Sequence, residues 1–421
     1  MSEHDRSSRE GGPAITRRAL VVGGIAAGAA AAGLKGAEGA EPGALAGSAA
    51  PSQTSAFPFE EATIHDLSRA MASGEHTARS IAEAYLERIE RLDRSGPNAV
   101  IEIDPDALAI AAALDAERKE KGPRGPLHGI PVLIKDNIAT ADRMETTAGS
   151  LALLGAKPAR DAGVVERLRA AGAVILAKSN LSEWANFRSS RSTSGFSGRG
   201  GQTRNPYALD RSPSGSSSGT GAGISANFAA VGIGTETDGS IVSPSSANGL
   251  VGIKPTVGRL SRAGIIPIAA SQDTPGPMAR TVADAAILLA ALAGSDPADP
   301  ATAGAPGPLG EIDSLLDPRG LDGARIGVVR SQGFGRHPAV DLAVEAALDA
   351  MRRAGAVIVD PVELAWPADI RDAELQVLLY EFKDGLEKYF ASLGPSAPVK
   401  TMRELIAWND GNRDREMPWF G

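Results

Sequence analysis

Three short stretches carry side chains that could perform acyl transfer. GSSSG (Gly215 to Gly219) and GTETDGSI (Gly234 to Ile241) set serines among glycines. GIPVLIKDN (Gly129 to Asn137) ends an apolar run on Lys135. A serine attacks a carbonyl only when a base takes its proton. Histidine is the usual base, yet His4, His65, His76, His128 and His337 are scattered and none adjoins Ser240. Their scatter also argues against a metal cluster. The chain has no cysteine, which removes thiol nucleophiles, disulfides, Cys-ligated zinc and iron–sulfur clusters. A G-x-x-x-x-G-K-[ST] phosphate loop, H-E-x-x-H and S-x-x-K are all missing.

Two assignments compete for the nucleophile. GSSSG fits G-x-S-x-G, which would make Ser217 an elbow nucleophile. Such an elbow follows an apolar strand, whereas DRSPS precedes it here, and His337 is the only histidine downstream. The other assignment uses lysine as base. An ammonium drawn into a protein interior loses hydration, so its pKa falls below about 10.4 and the neutral amine can accept a proton. The plainer alternative is an exposed Lys135 paired with Asp136. Glu236 and Asp238 suggest a carboxylate pair, but Glu236 is better read as ordering its loop and Asp238 as offering its backbone. Trp184 and Phe187 fit core packing as well as a pocket wall. Arg280 is expected to pair with an acid.

These groups must be held by an α/β framework. HTARSIAEAYLERIERLD puts Ile81, Tyr85, Leu86, Ile89 and Leu92 on one helical face, with Thr77 as cap. AVIEID reads as a strand, and PDALAIAAALDAERKE as a helix capped by Asp104 with Pro105 in its first turn. GIPVLIK is strand-like; DAGVVERLRAAG and AVILAK add a helix and a strand. RIGVV, AVDLAVEAALDAMRRAG and VIVDPV repeat the strand–helix–strand order. The pattern predicts a central mixed, largely parallel, twisted sheet covered by helices on both faces. Residues 189–246 are crowded with Ser, Gly and Thr. The apolar ISANFAAVGIG inside them predicts a tightly packed small-residue helix, then a buried strand ending near Gly234. Gly294 to Gly307 reads as a surface connection at a subdomain boundary.

The 421 residues, 43% of them hydrophobic, can bury a sizeable core. The net charge of −8 and the lack of a basic run exclude general nucleic-acid or anionic-membrane binding. At the N-terminus, Thr16 precedes the twin arginines Arg17 and Arg18, a mild apolar run follows, and Ala44-Leu45-Ala46 offers a cleavage site. Residues 1–46 thus read as a twin-arginine export signal and 47–59 as a flexible linker. The run is too short and weakly apolar for stable membrane insertion. The export machinery becomes an expected partner, and the periplasm or exterior the expected location.

In combination, LHGIPVLIKDNI, SPSGSSSGTGAG, GIGTETDGSI and GLVGIKPTVGRLSRAGIIP resemble the amidase signature family. GQTRNPYALDRSPSGSSSG, GTETDGSIVSPSSANG and SQDTPGPMARTVADAA look closest to its peptide-amidase-like members. The resemblance covers about residues 60–295, with a signature core near 125–295. It implies an amidase domain over 60–421 and a Ser-cisSer-Lys catalytic set. Lys135 matches the family base, Ser240 the nucleophile and Ser216 the bridging serine, with Gly215–Ser216 cis. The backbone N–H groups of Thr237, Asp238, Gly239 and Ser240 match the oxyanion hole, and Gly215 and Ser217 support the loop. No metal or cofactor is implied. The implied substrate is a small-molecule or peptide amide, C-terminal peptide amides included. Relatives look to continue past DREMPWFG, so the chain reads as lacking their C-terminal segment. Two alternatives accompany this reading: an inactive amidase-fold protein that binds acyl or peptide ligands, and an aminoacyl-tRNA amidotransferase subunit.

Overall fold

The structure is a computed structural model and describes residues 57–305, 312–331, 333–365, 367 and 369–418. The expected export signal and most of the expected linker lie outside these residues. Helix α1 (Ile64–Ser73) starts at Thr63, whose hydroxyl accepts the Asp66 N–H while Asp66 accepts the Thr63 N–H. Helix α2 (Ala78–Leu92) is capped by Thr77 as its spacing predicts, and buries Ile81, Tyr85 and Ile89. After β1 (Val100–Ile103) comes α3 (Ala107–Lys121). Its cap position is Asp106, not Asp104; the Asp104 carboxylate instead accepts the Asp106 N–H at 2.8 Å.

Strand β2 (Pro131–Lys135) is buried at every position, as is β3 (Val174–Ser179), reached through α4 (Gly163–Ala170). A two-residue ladder, β4 (Phe196–Ser197) with β5 (Gly201–Gln202), leads into the serine-rich loop. That loop feeds α5 (Ser218–Ser225) and β6 (Val231–Glu236). All eight α5 residues are buried, and none is larger than isoleucine, so the helix lies close against β2 and β6. Then follow α6 (Val242–Ala247), β7 (Val251–Gly252), β8 (Thr274–Ala279) and α7 (Val282–Leu292).

The six strands order as β1–β3–β2–β6–β8–β7. The central β3–β2–β6 pairs are parallel, and the flanking pairs antiparallel. Helices flank this mixed sheet, the α/β fold class that the strand–helix alternation implies. The register sets Ile134 opposite Ile233, so β2 and β6 run out together and deliver Lys135 and Thr235 to one end. Arg280 follows β8 but pairs with no acid among the described residues: its guanidinium donates to the carbonyls of Ile224, Ala229 and Ala62 at 2.7–3.0 Å. It thereby ties α5 to the chain before α1.

Farther on, β9 (Arg325–Gly327) and β10 (Val357–Val359) pair in parallel across α8 (Pro338–Arg353), in a sheet of their own. Helices α9 (Ile370–Ser392), α10 (Met402–Gly411) and α11 (Arg413–Glu416) follow. A second apolar cluster joins Phe382, Leu386 and Phe390 of α9 to Trp184, Ile266 and Ile268. Among the described residues, no helix is long and apolar enough to cross a membrane.

Candidate active site

Lys135 closes β2 with a side chain at 0% exposure. Its Nζ lies 2.7 Å from Ser216 Oγ, 2.9 Å from Thr235 Oγ1 and 3.2 Å from the Thr235 carbonyl oxygen. Asn137 Nδ2 donates to the same Thr235 Oγ1 at 2.9 Å. Burial pulls the Lys135 ammonium down to about 7, and the negative charges of Asp273 and Glu236 offset only part of that fall. A neutral amine has two N–H donors and one lone pair. The carbonyl of Thr235 can only accept, and both Thr235 oxygens lie within reach of those donors. A neutral Lys135 that spends both N–H groups on Thr235 would turn its lone pair to the Ser216 hydroxyl, whereas the ammonium form donates to Ser216 Oγ. Asp136 does not pair with Lys135; it accepts from Thr147 Oγ1, the Gly149 N–H and Arg199.

Ser216 enters through a cis peptide bond with Gly215. A Cβ on Gly215 would stand 2.3 Å from Ser182 Oγ and 2.8 Å from Ser218 Oγ, so a larger residue must push these hydroxyls or the loop aside. Gly215→Ala is therefore expected to displace Ser216 and remove activity, with overpacking of roughly 1–3 kcal/mol visible as a lower melting temperature. Wild-type turnover in that variant would show the contact to be slack. The Ser217 hydroxyl is committed elsewhere. It accepts the Thr235 N–H at 3.2 Å and donates to the Thr235 carbonyl at 3.1 Å, stitching the loop to β6. That bridging leaves the elbow assignment without a free nucleophile.

Ser240 sits on the turn after β6 at 7% exposure, behind Gly239 at φ 78°. The Ser217 N–H donates to its carbonyl at 3.2 Å, which binds the two loops. Its hydroxyl has no hydrogen-bond partner among the described residues, so the bond from the Ser217 N–H is what joins Ser240 to the serine loop. The turn is gripped by side chains. Glu236 Oε2 accepts the Ile241 and Val242 N–H groups at 2.6 and 2.9 Å. Thr237 Oγ1 donates to Asp273 at 2.5 Å, and Lys254 Nζ donates to the Thr237 carbonyl at 2.6 Å. The N–H groups of Thr237, Asp238, Gly239 and Ser240 donate to no acceptor among the described residues. Asp238 is exposed and Glu236 buried, as expected of a backbone contributor and a loop organiser.

Four supporting residues were not legible as such: Asn137, Thr235, Lys254 and Asp273. All lie in stretches that carry the family resemblance, but only the fold shows what they touch.

A cavity of about 350 Å³ opens beside Thr235 and Thr237 rather than over Ser240. Asn137 and Asp273 line it near the strand ends; Ala185, Ile266, Ile268 and Gly385 line it on the side of the second apolar cluster. Trp184 and Phe187 stack edge-on against Phe390 and Phe382 of α9, and both also line a separate cavity of about 590 Å³, so they serve packing and a pocket wall together. Ahead of Trp184, the Glu183 carboxyl is buried beside Glu416 of α11. Glu183 accepts from the Gly198 N–H and Arg188; Glu416 accepts from Ser150 Oγ and the Leu151 N–H. Arg188 is the cation facing the pair. Burial, then the neighbouring Glu416, pushes the Glu183 carboxyl well above its ordinary 4.5. One shared proton between two acids accounts for the arrangement. A raised folded-state pKa gives stability that is complete below the unfolded value and is lost as pH rises through the folded one. In Glu416→Gln an amide N–H can replace the shared proton. That variant should hold its melting temperature at alkaline pH where the wild type declines; parallel declines would refute the shared proton.

The sequence model of the Amidase family matches residues 80–418. The chain belongs to the amidase family. With the family comes the reaction class, hydrolysis of amide C–N bonds. A probable amidase of Arabidopsis thaliana is 45% identical over 371 residues, which cover 86% of this chain and 70% of that protein. A putative amidase of Schizosaccharomyces pombe is 38% identical over 370 residues, covering 84% of this chain and 63% of that protein. Native peptide amidase from Stenotrophomonas maltophilia superposes with a TM-score of 0.82 at 54% identity, over 87% of this amidase and 74% of that chain.

Proposed function

We propose that this amidase hydrolyses carboxamides through an acyl-enzyme on Ser240, with Ser216 and Lys135 as the proton relay. The observation that carries the reading is the 2.7 Å contact between Ser216 Oγ and a fully buried lysine whose pKa falls to about 7. At neutral pH such an amine exists in comparable neutral and charged forms, which suits a group that takes and returns one proton. Lys135 takes the Ser216 proton, Ser216 takes that of Ser240, and Ser240 Oγ bonds to the amide carbon. The carbonyl oxygen becomes an oxyanion facing the N–H groups of Thr237 to Ser240. Removing one such donor typically raises a barrier by about 2.7–4 kcal/mol. The proton returns through Ser216 to the nitrogen, the C–N bond breaks, and ammonia or an amine leaves. Water then releases the acid by the same relay. The open Ser240 hydroxyl is compatible with this, because catalytic hydrogen bonds often close only when substrate binds.

C-terminal peptide amides are the proposed substrates. The likeness to a solved peptide amidase supports that class, and the mainly apolar cavity wall suits a peptide side chain. Purified enzyme should release ammonia from amidated peptides and leave the free-acid peptides untouched. Binding without turnover would instead favour the ligand-binding alternative. Ammonia release only in the presence of aminoacyl-tRNA partners would favour the amidotransferase alternative.

Export through the twin-arginine machinery to the periplasm or exterior is proposed from residues 1–46. Fractionation of cells expressing the chain should find it outside the cytoplasm, and an Arg17→Lys/Arg18→Lys variant should stay inside. Equal cytoplasmic retention of both would remove the export proposal.

A further inference from the structure

Lys254 follows β7 and its side chain is about one-third exposed, at 34%. It reaches over the turn before Ser240 and places Nζ 2.6 Å from the Thr237 carbonyl oxygen. Its nearest acid, Glu236, stands farther away at 3.7 Å. Glu236 already uses its Oε2 on two N–H groups, and only Oε1 faces the lysine. The shortest contact of Lys254 is thus with a peptide, not with a carboxylate.

That peptide is a particular one. The Thr237 carbonyl and the Asp238 N–H belong to the same amide plane. Asp238 N–H is one of the four donors left without an acceptor. A cation on a carbonyl oxygen draws charge through amide resonance and leaves the N–H a stronger donor. A charged donor also makes a shorter, stiffer bond than a neutral one. On the other side of the same residue, Thr237 Oγ1 is fixed to Asp273, which the Ile268 and Ala269 N–H groups hold in turn. Asp273 therefore fixes where Thr237 stands, and Lys254 fixes how its peptide plane is tilted and polarised.

We infer that Lys254 is a positioning residue that orients and polarises the Thr237–Asp238 peptide toward the oxyanion. The inference rests on reading the Thr237 to Ser240 N–H groups as the oxyanion hole. Its benefit appears only when negative charge forms, so it acts on kcat and not on ground-state binding. A purely structural lysine would instead change stability, or kcat and KM together.

The chain's lack of cysteine permits a test by charge replacement. Lys254→Met and Lys254→Cys are expected to lower kcat on an amidated peptide roughly tenfold, below the 10²–10³ typical of losing a donor outright. KM should move less than twofold. Alkylating Lys254→Cys with 2-bromoethylamine restores a lysine-like ammonium, and should recover most of kcat. Alkylation with 1-bromopropane restores the length without the charge, and should recover none. A peptide aldehyde, which forms a tetrahedral adduct, should lose affinity in step with kcat, while the matching peptide alcohol should not. Recovery with both labels or with neither, equal weakening of aldehyde and alcohol, or loss of folding in both variants would overturn the inference. Ser240→Ala is assayed alongside. Turnover or tight aldehyde binding in that variant would defeat the underlying nucleophile reading; their absence, with Lys254 variants at wild-type kcat, defeats the Lys254 inference alone.

Discussion

Ser240→Ala is expected to lower amide turnover roughly a millionfold, the scale seen when a serine nucleophile is removed from an acyl-transfer enzyme. The reason is that no other hydroxyl at the site can take over. Ser217 spends its hydroxyl on both backbone groups of Thr235, and Ser216 is the partner of the lysine. Folding should be unaffected, because the Ser240 hydroxyl bonds to no other group among the described residues. A fluorophosphonate should label the wild type on Ser240 and leave the variant unlabelled. Ammonia release by Ser240→Ala within tenfold of wild type, measured after a melting curve has shown both proteins folded, would end the acyl-enzyme reading. A label on Ser217 would bring back the elbow assignment.

Lys135→Ala should be nearly as damaging, with a loss of roughly 10⁴-fold, the upper range for a general base. The pH dependence gives a sharper check. The relay needs the neutral amine, and burial brings the ammonium to about 7. Below that value the lysine is protonated and idle; above it the amine is free. Wild-type kcat/KM should therefore climb tenfold per pH unit on the acid side, bend near 7 and then level. An unshifted lysine would place the bend near its ordinary 10.5. Lys135→Arg keeps a cation at all accessible pH values and should be inactive throughout. A wild-type profile still rising steeply at pH 9 would show that burial has not brought the relay base down to about 7.

The sequence made much of this legible because the essential residues sit in long ordered stretches. Lys135 ends an apolar run, and such a run becomes a central strand that carries its last side chain inside. The small-residue pattern before Ile224 predicted a tightly packed helix, and α5 is one. Other features needed the fold. Thr235 gains its role only because β2 and β6 are neighbours in register, a pairing across about a hundred residues of chain that no local pattern encodes. Arg280 departs from expectation for a similar reason: its type predicts an acid partner, whereas three carbonyls of other elements accept from its Nη groups and its buried Nε finds no acceptor among the described residues. Asp104 lost the cap position to Asp106 because two aspartates flank the same proline, and local spacing does not choose between them. Lys254 and Glu416 gain a role only through the turn and the loop they hold, which lie far from them in sequence.

The cavity has walls of two kinds. Thr235 and Asn137 belong to the strand ends that hold Lys135 and cannot move without disturbing it. Ala185, Ile266 and Ile268 belong to the cluster around α9 and Gly385 lies on α9 itself; of these, Ile266 is also tied to Asn137 through its backbone. A Cβ at Gly385 would come within 2.9 Å of Pro267, so even a methyl there would press on the opposite wall. Diversity in accepted substrates can therefore arise on α9 while the proton relay stays untouched. A saturation library confined to Ala185, Ile268 and Gly385 is the economical place to look for altered selectivity.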